Sequence, residues 1–309
     1  MKKINKEVDI IEDNILNQYP KVLDILLCDK TTKKNIIWAT DNYKKLWEKY
    51  CFDEPIKIKL ITGVNKNIIM PRILKNKDIQ NTRVKDMGEV YTPAWVCNDQ
   101  INSIDNKWLD EKNYFNIRYI KNNGSVSWKT NKNKIEFLND KTWLDYISNT
   151  ILEISCWEAP YLTSRYDVTT GKYIPIKDRI WILDRKLCII NENTNNKKDW
   201  IKNAEIAYKS IYAYEYHGDS LLLAREALLY TYIENYFKKF KEKPKLLDIK
   251  KIARIISWNI WQMDWLKFTI PNNDEIFCII KDWKEKDKIS KRYWIKKKFI
   301  DLIQKNNVK

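Results

Sequence analysis

Residues 149–171 read NTILEISCWEAPYLTSRYDVTTG. Ile151, Leu152 and Ile154 predict a short buried strand, and the apolar run stops at Ser155. The chain must then turn sharply through Cys156-Trp157-Glu158-Ala159-Pro160. Glycine is the usual residue at such a junction, because without a Cβ it accepts a left-handed backbone and a close approach. Here the turn holds the bulkiest side chain instead.

Working outward, the pattern after residue 150 alternates strand and helix. The segment RIWILDRKLCII (179–190) predicts a basic strand. DWIKNAEIAYKSI (199–211) predicts a helix capped by Asp199, with Trp200, Ala204, Ala207, Tyr208 and Ile211 at helical spacing. A strand then ends at Glu215, before a turn at Gly218 and a long amphipathic helix through Leu221, Leu228, Ile233 and Phe240. IKKIARIISWNIWQMD (249–264) reads as a helix or strand closing in a polar-aromatic turn that holds Asn259, Trp261 and Gln262. The alternation predicts an α/β chain with a doubly wound sheet. Ligands of such sheets sit at the carboxyl ends of the strands, which places Glu153, Ser155 and Glu215 at the expected rim. An acid at the tip of the second strand is the device that holds ribose hydroxyls.

Upstream, residues 1–85 read as an N-terminal α/β extension. Helical patterns run from Ile10 to Leu16 and from Val22 to Leu27, Ile36 and Ile37 suggest a strand, and Asp41 suits a helix cap. Ile56, Ile58 and Leu60 alternate with basic residues, the period of a strand. Lys75 to Lys85 reads as a polar surface segment. Pro93 suits the first turn of a helix through Trp95, Val96 and Gln100, with Thr92 as its cap. Residues 105–148 read as an inserted segment with a loop at KNNGSVSWKTNKNK (121–134).

Composition narrows the partners. The net charge of +16 suits a polyanion such as nucleic acid, although an AT-rich gene also fills a chain with Lys and Asn. The six cysteines are dispersed with no metal-ligand spacing, as expected of reduced thiols in the cytoplasm. No apolar run is long enough to cross a membrane, and the first residues lack the apolar core of a secretory signal. His217 is the single histidine, which excludes a paired-histidine catalytic or metal site and reads as a turn residue. Two acid-rich segments, DEPIKIK (53–59) and DEIFCIIK (274–281), lack the acid pair and following lysine of a metal-dependent nuclease.

The order of these motifs resembles that of the N6-adenine DNA methyltransferases. GEVYTPAWV (88–96) looks like the segment whose Tyr-Thr-Pro contacts the methionine end of S-adenosyl-L-methionine. LEISCWEAP is similar to the cofactor loop, and YAYEYHGDSLLLAREALL is similar to the ribose-binding strand and its helix. WNIWQ falls where that family carries Asn-Pro-Pro-aromatic, without the prolines. Together with NIIWATDNY, APYLTSRYDVTTG and SWNIWQMD, these stretches make nearly the whole chain resemble proteins described as restriction endonuclease subunit M.

The resemblance implies a Rossmann-like, S-adenosyl-L-methionine-dependent fold over residues 86–309, ending in a basic tail. It further implies double-stranded DNA as substrate and a cognate restriction endonuclease subunit as partner. Tyr91, Thr92, Pro93, Glu153, Ser155, Cys156, Trp157 and Glu215 would line the cofactor. Asn259 would accept the adenine amino hydrogens, and Trp261 would stack on the flipped base. Alternatives are a catalytically silent DNA-binding or specificity subunit with the same fold, and a restriction endonuclease component.

The tryptophans carry a second signal. Five glycines and fourteen tryptophans are an unusual balance for 309 residues. Against the family pattern, Trp157, Trp181, Trp265 and Trp47 stand where glycine is expected. A UGA codon meaning glycine but read as tryptophan would leave this trace.

Overall fold

The computed structural model describes residues 8–110, 114–137, 140–163, 165–284 and 294–306. Two short helices, α1 (Glu12–Gln18) and α2 (Val22–Leu27), match the helical patterns expected at this end. The rest of the N-terminal stretch is irregular. Ile36 and Ile37 lie in extended chain held by isolated bridges, Cys28 to Asn35 and Ile37 to Pro55. Asp41 caps no helix; it accepts the Phe52 N–H at 3.3 Å and pairs with Lys44 at 3.1 Å. The alternating 56–60 stretch is a single 3-10 turn over Ile58–Leu60, because it has no neighbouring strand to pair with. Residues Ile10 to Ile69 nevertheless belong to the same apolar core as the remainder of the chain. The first 85 residues therefore form a strap on that core, not a separately cored unit.

The expected surface segment is helix α3 (Lys77–Met87), capped by the Asn76 side chain and mostly exposed, with Gln80 and Arg83 turned inward and buried. Helix α4 (Ala94–Leu109) begins directly after Pro93, whose fixed φ suits a helix start, and no side-chain cap from Thr92 is present. The inserted region holds an antiparallel hairpin, β1 (Asn116–Ile120) and β2 (Val126–Thr130), where a loop was expected. Gly124, at φ 78°, supplies its turn. Helix α5 (Trp143–Ser148) follows, closed by a Thr142–Asp145 capping box.

The centre of the molecule is a parallel sheet of β3 (Ile151–Glu153), β4 (Ile211–Glu215) and β5 (Ile260–Gln262), with β4 in the middle. Helices α6 (Ile182–Asn193) and α7 (Lys197–Lys209) connect β3 to β4, and α8 (Gly218–Phe240) and α9 (Leu246–Asn259) connect β4 to β5. Parallel neighbours require such crossovers. The expected basic strand at 179–190 is helix α6. Its Asp184, Arg185 and Lys186 are buried, and Arg185 binds Asn102 on α4 at 2.7 Å. The α7 cap is Asn196, which accepts the Asp199 N–H at 2.9 Å, so Asp199 itself lies in the first turn.

Helix α8 runs through the core. Leu221, Leu222, Leu228, Leu229 and Ala224 are all buried, so the helix is covered on nearly every side. Beyond β5, an antiparallel pair, β6 (Ile279–Asp282) and β7 (Ile295–Lys298), and helix α10 (Phe299–Asn306) close the chain. The basic tail expected from residue 284 onward thus partly forms β7, and residues 285–293 lie outside the described residues. The structure is a mixed α/β fold. Among the described residues no helix is long and apolar enough to cross a membrane.

Candidate functional site

Glu153 and Glu215 end neighbouring strands, and the loop between Ser155 and Pro160 passes across their tips. The Cys156 N–H donates to the Tyr214 carbonyl at 2.9 Å, which ties the loop to β4 one step beyond β3. Ser155 (φ 48°), Trp157 (φ 47°) and Ala159 (φ 58°) all adopt the left-handed conformation. For residues with a Cβ this costs roughly 1–2 kcal/mol each. The turn requires glycine-like backbone at three alternating positions, and none of them is glycine.

The two carboxylates hold the loop in place. Glu215 accepts the Trp157 N–H at 2.9 Å through one oxygen and the His217 N–H at 3.0 Å through the other. His217 Nδ1 lies a further 3.0 Å from that second oxygen. Glu153 accepts the Tyr161 and Leu162 N–H groups, each at 3.1 Å, and so fixes the far side of the loop. Burial raises the Glu153 carboxyl to about 8; the two N–H donors oppose the rise, and the nearby Glu215 charge adds to it. Cys156 is buried beneath the loop, which pushes its thiol well up, with Glu153 and Glu215 adding to the effect.

The Trp157 indole lies over the rim. It stacks on the His217 ring with centroids 5.3 Å apart and planes 8° from parallel. Tyr91 is a second aromatic neighbour, tilted by 38° with centroids 6.5 Å apart. Tyr91 is itself set by the buried acids: its hydroxyl donates to Glu89 at 3.4 Å, and the Arg72 guanidinium lies 5.4 Å over its ring. Glu158, in the loop, accepts the Arg72 N–H at 2.7 Å and bonds the Tyr166 hydroxyl. Thr92 and Pro93 lead into α4 close by, where the Thr92 carbonyl accepts the Cys97 thiol at 3.6 Å and the Tyr161 hydroxyl reaches Gln100.

The structure therefore brings together Tyr91, Glu153, Ser155, Cys156, Trp157 and Glu215, with Thr92 and Pro93 at the start of α4 following Tyr91 in the chain. It does not bring Asn259 and Trp261 to them. Asn259 is the last residue of α9, so it stands at the amino end of β5, about 10 Å by strand rise from the rim at Gln262. Its amide donates to the Tyr208 and Ile211 carbonyls at 3.0 and 2.9 Å, and its oxygen accepts the Trp283 indole N–H at 2.7 Å. Trp261 is buried between Tyr214 and Phe299. The turn expected at these positions is instead the last residue of α9 followed by β5, and both side chains are packed in the interior, away from the rim residues.

Two further residues at the rim, His217 and Gln262, were read from the sequence only as turn residues. His217 serves as the ring beneath Trp157, and its position two residues after Glu215 was the available signal. Gln262 accepts the Ile37 N–H at 3.0 Å and donates to the Ile37 carbonyl at 2.8 Å, so its amide acts as an extra strand partner for the N-terminal strap. A groove of about 790 Å³ opens beside it, lined by Asp29, Asn35, Asp53 and Asn273. Among the described residues no group of three or more His, Cys, Asp or Glu could hold a metal.

Of the four tryptophans set against glycine, only Trp157 has glycine-like backbone. Trp47 is extended at φ −178°, Trp181 has φ −79° and is buried edge-on against Trp128, and Trp265 has no positive φ.

The site chemistry suits a nucleoside cofactor in its acids and aromatic walls, but not in its space. A ribose could reach Glu215 only by displacing the N–H groups that the carboxylate already accepts, with the indole lying above them. Compared with protein-family models, curated proteins and solved structures, the chain matches none.

Proposed function

We propose that the carboxyl rim of the parallel sheet is a nucleoside-cofactor site and that the chain is an S-adenosyl-L-methionine-dependent DNA adenine-N6 methyltransferase, the modification component of a restriction-modification system. The observation that carries this reading is the pair of buried acids, Glu153 and Glu215, at adjacent strand tips around one left-handed loop. Three parallel strands in chain order, joined by paired helices, support the Rossmann-like form of the sheet. Tyr91 beside the loop supports the role its Tyr-Thr-Pro segment carries in the resemblance.

A second reading, a catalytically silent subunit that keeps the fold and binds DNA, is favoured by the position of Asn259. With that residue at the opposite end of the sheet, no side chain at the rim is identified as the acceptor for an adenine amino group.

The test uses W157G protein, which lacks the indole over the rim, and the same protein carrying E215A. Saturable binding of S-adenosylmethionine that E215A abolishes, with transfer of a tritiated methyl group to adenine in double-stranded DNA, supports the enzyme. Binding without transfer supports the silent subunit. Absence of binding by folded W157G protein removes the nucleoside reading. Cutting of DNA that depends on Mg²⁺ would identify an endonuclease component instead.

A further inference from the structure

We infer that Trp157 is a built-in occupant of the rim site: its indole fills the slot on the His217 ring, beside Tyr91, that the flat base of a nucleoside would take. This inference rests on the nucleoside reading of the site and adds what controls access to it.

Three observations converge on this residue. Its backbone stands at φ 47°, a conformation that a bulky side chain rarely adopts, so packing and hydrogen bonding must hold it there. Its N–H is bound by the same Glu215 carboxylate that ends the central strand, at 2.9 Å. Its ring lies on His217 at 8° from parallel, with a 5.3 Å centroid distance, the arrangement of an aromatic ligand on an aromatic platform. An indole is a fused bicycle close in size and flatness to a purine. The slot is thus shaped for such a ring and is closed by one supplied from the chain itself. A free nucleoside must compete with a tethered ring already in place, whose effective concentration is high.

Isothermal titration of S-adenosylhomocysteine, and of adenosine alone, into the chain bearing Trp157, W157G and W157A tests the inference. W157A controls for any gain in folding that glycine brings at the left-handed position, and circular dichroism establishes that all three proteins are folded. At least tenfold tighter binding by both variants than by the Trp157 chain is expected. Equal affinity in all three overturns the inference and leaves the nucleoside reading standing. Binding by none of the three folded proteins overturns that reading and the inference with it. Gain in W157G but not in W157A assigns the effect to backbone conformation, and this too overturns the indole's role as occupant.

Discussion

A Cβ added to Gly218 would lie 2.0 Å from the Ile37 carbonyl oxygen and 3.0 Å from the Ile37 carbonyl carbon. The Gly218 N–H also donates to the Trp38 carbonyl at 3.0 Å. Here the N-terminal strap crosses the start of α8 so closely that no side chain fits between them. The demand is for space, since Gly218 is not in the left-handed region. G218A is expected to cost roughly 1–3 kcal/mol, toward the upper end because the obstacle is backbone. Thermal unfolding followed by circular dichroism reads this as a lowered midpoint. An unchanged midpoint would mean that the strap does not sit on α8.

Asn259 offers a direct choice between structure and catalysis. Its amide joins the end of α7, the start of β4 and the Trp283 indole. N259A leaves two buried carbonyls and one indole N–H short of a partner. A loss of about 1–3 kcal/mol in stability is expected. Urea unfolding at fixed pH measures it. If N259A unfolds at the same urea concentration as the parent, the structural role assigned to it fails.

Arg83 anchors the acids behind the site. It bonds Glu89 through Nε, Asp219 through Nη1 at 2.9 Å and Ser220 through Nη2 at 3.1 Å. Burial alone would raise the Asp219 carboxyl, but Arg83 and Lys75 outweigh it and hold the group well below the usual carboxylate range. R83M strands the buried Glu89 charge, while Asp219 keeps Lys75 at 3.3 Å, and is expected to destabilise by about 3–5 kcal/mol. The double variant R83M/E89Q removes the stranded Glu89 charge, leaves the Lys75–Asp219 pair intact and recovers much of the loss. Chemical denaturation of both proteins checks the pattern; equal stability of the two variants would contradict it.

Glu226 sets a pH dependence. Both of its carboxylate oxygens are buried without a hydrogen-bond partner. Burial, then Glu12 and Asp9, raise its carboxyl well above the ordinary 4.5. Burial raises Glu12 too, to about 9; a backbone hydrogen bond opposes the rise, and Asp9 and Asp13 add to it. Because these acids take up protons more readily in the folded state, their contribution is complete below about pH 4.5 and is lost as pH rises toward 9. Glu153 adds to the same alkaline loss through about pH 8. The parent chain should therefore melt at a lower temperature at pH 9 than at pH 6, and E226Q should narrow that gap by a few degrees, on the order of 2–4 °C per kcal/mol. A gap of the same size in E226Q would show that Glu226 does not bind a proton on folding in this range.

Local periodicity was enough to find α1, α2, α7 and α8, because apolar spacing over one or two turns reports on which face is buried; it left 249–264 open between helix and strand, and it found β3 while expecting burial for Leu152 and Ile154, which are exposed. It was not enough for 179–190. Asp184, Arg185 and Lys186 look like the solvent side of a strand, but all three are buried on α6, and Arg185 and Lys186 meet partners from distant segments, Asn102 at 2.7 Å and Ser210 at 2.6 Å. No local pattern reveals a partner eighty residues away.

The sequence by itself determined the two acids at strand tips and the conflict at Trp157, since each depends on neighbours along the chain and on what a Cβ permits. Tertiary structure alone decided which end of β5 each polar residue occupies. Helix α9 runs on to Asn259 before the strand begins, and those few residues move Asn259 from the rim to the opposite edge. Tertiary packing also set His217 beneath the indole and turned Glu215 inward onto the loop, because stacking and hydrogen bonding join parts of the chain about sixty residues apart.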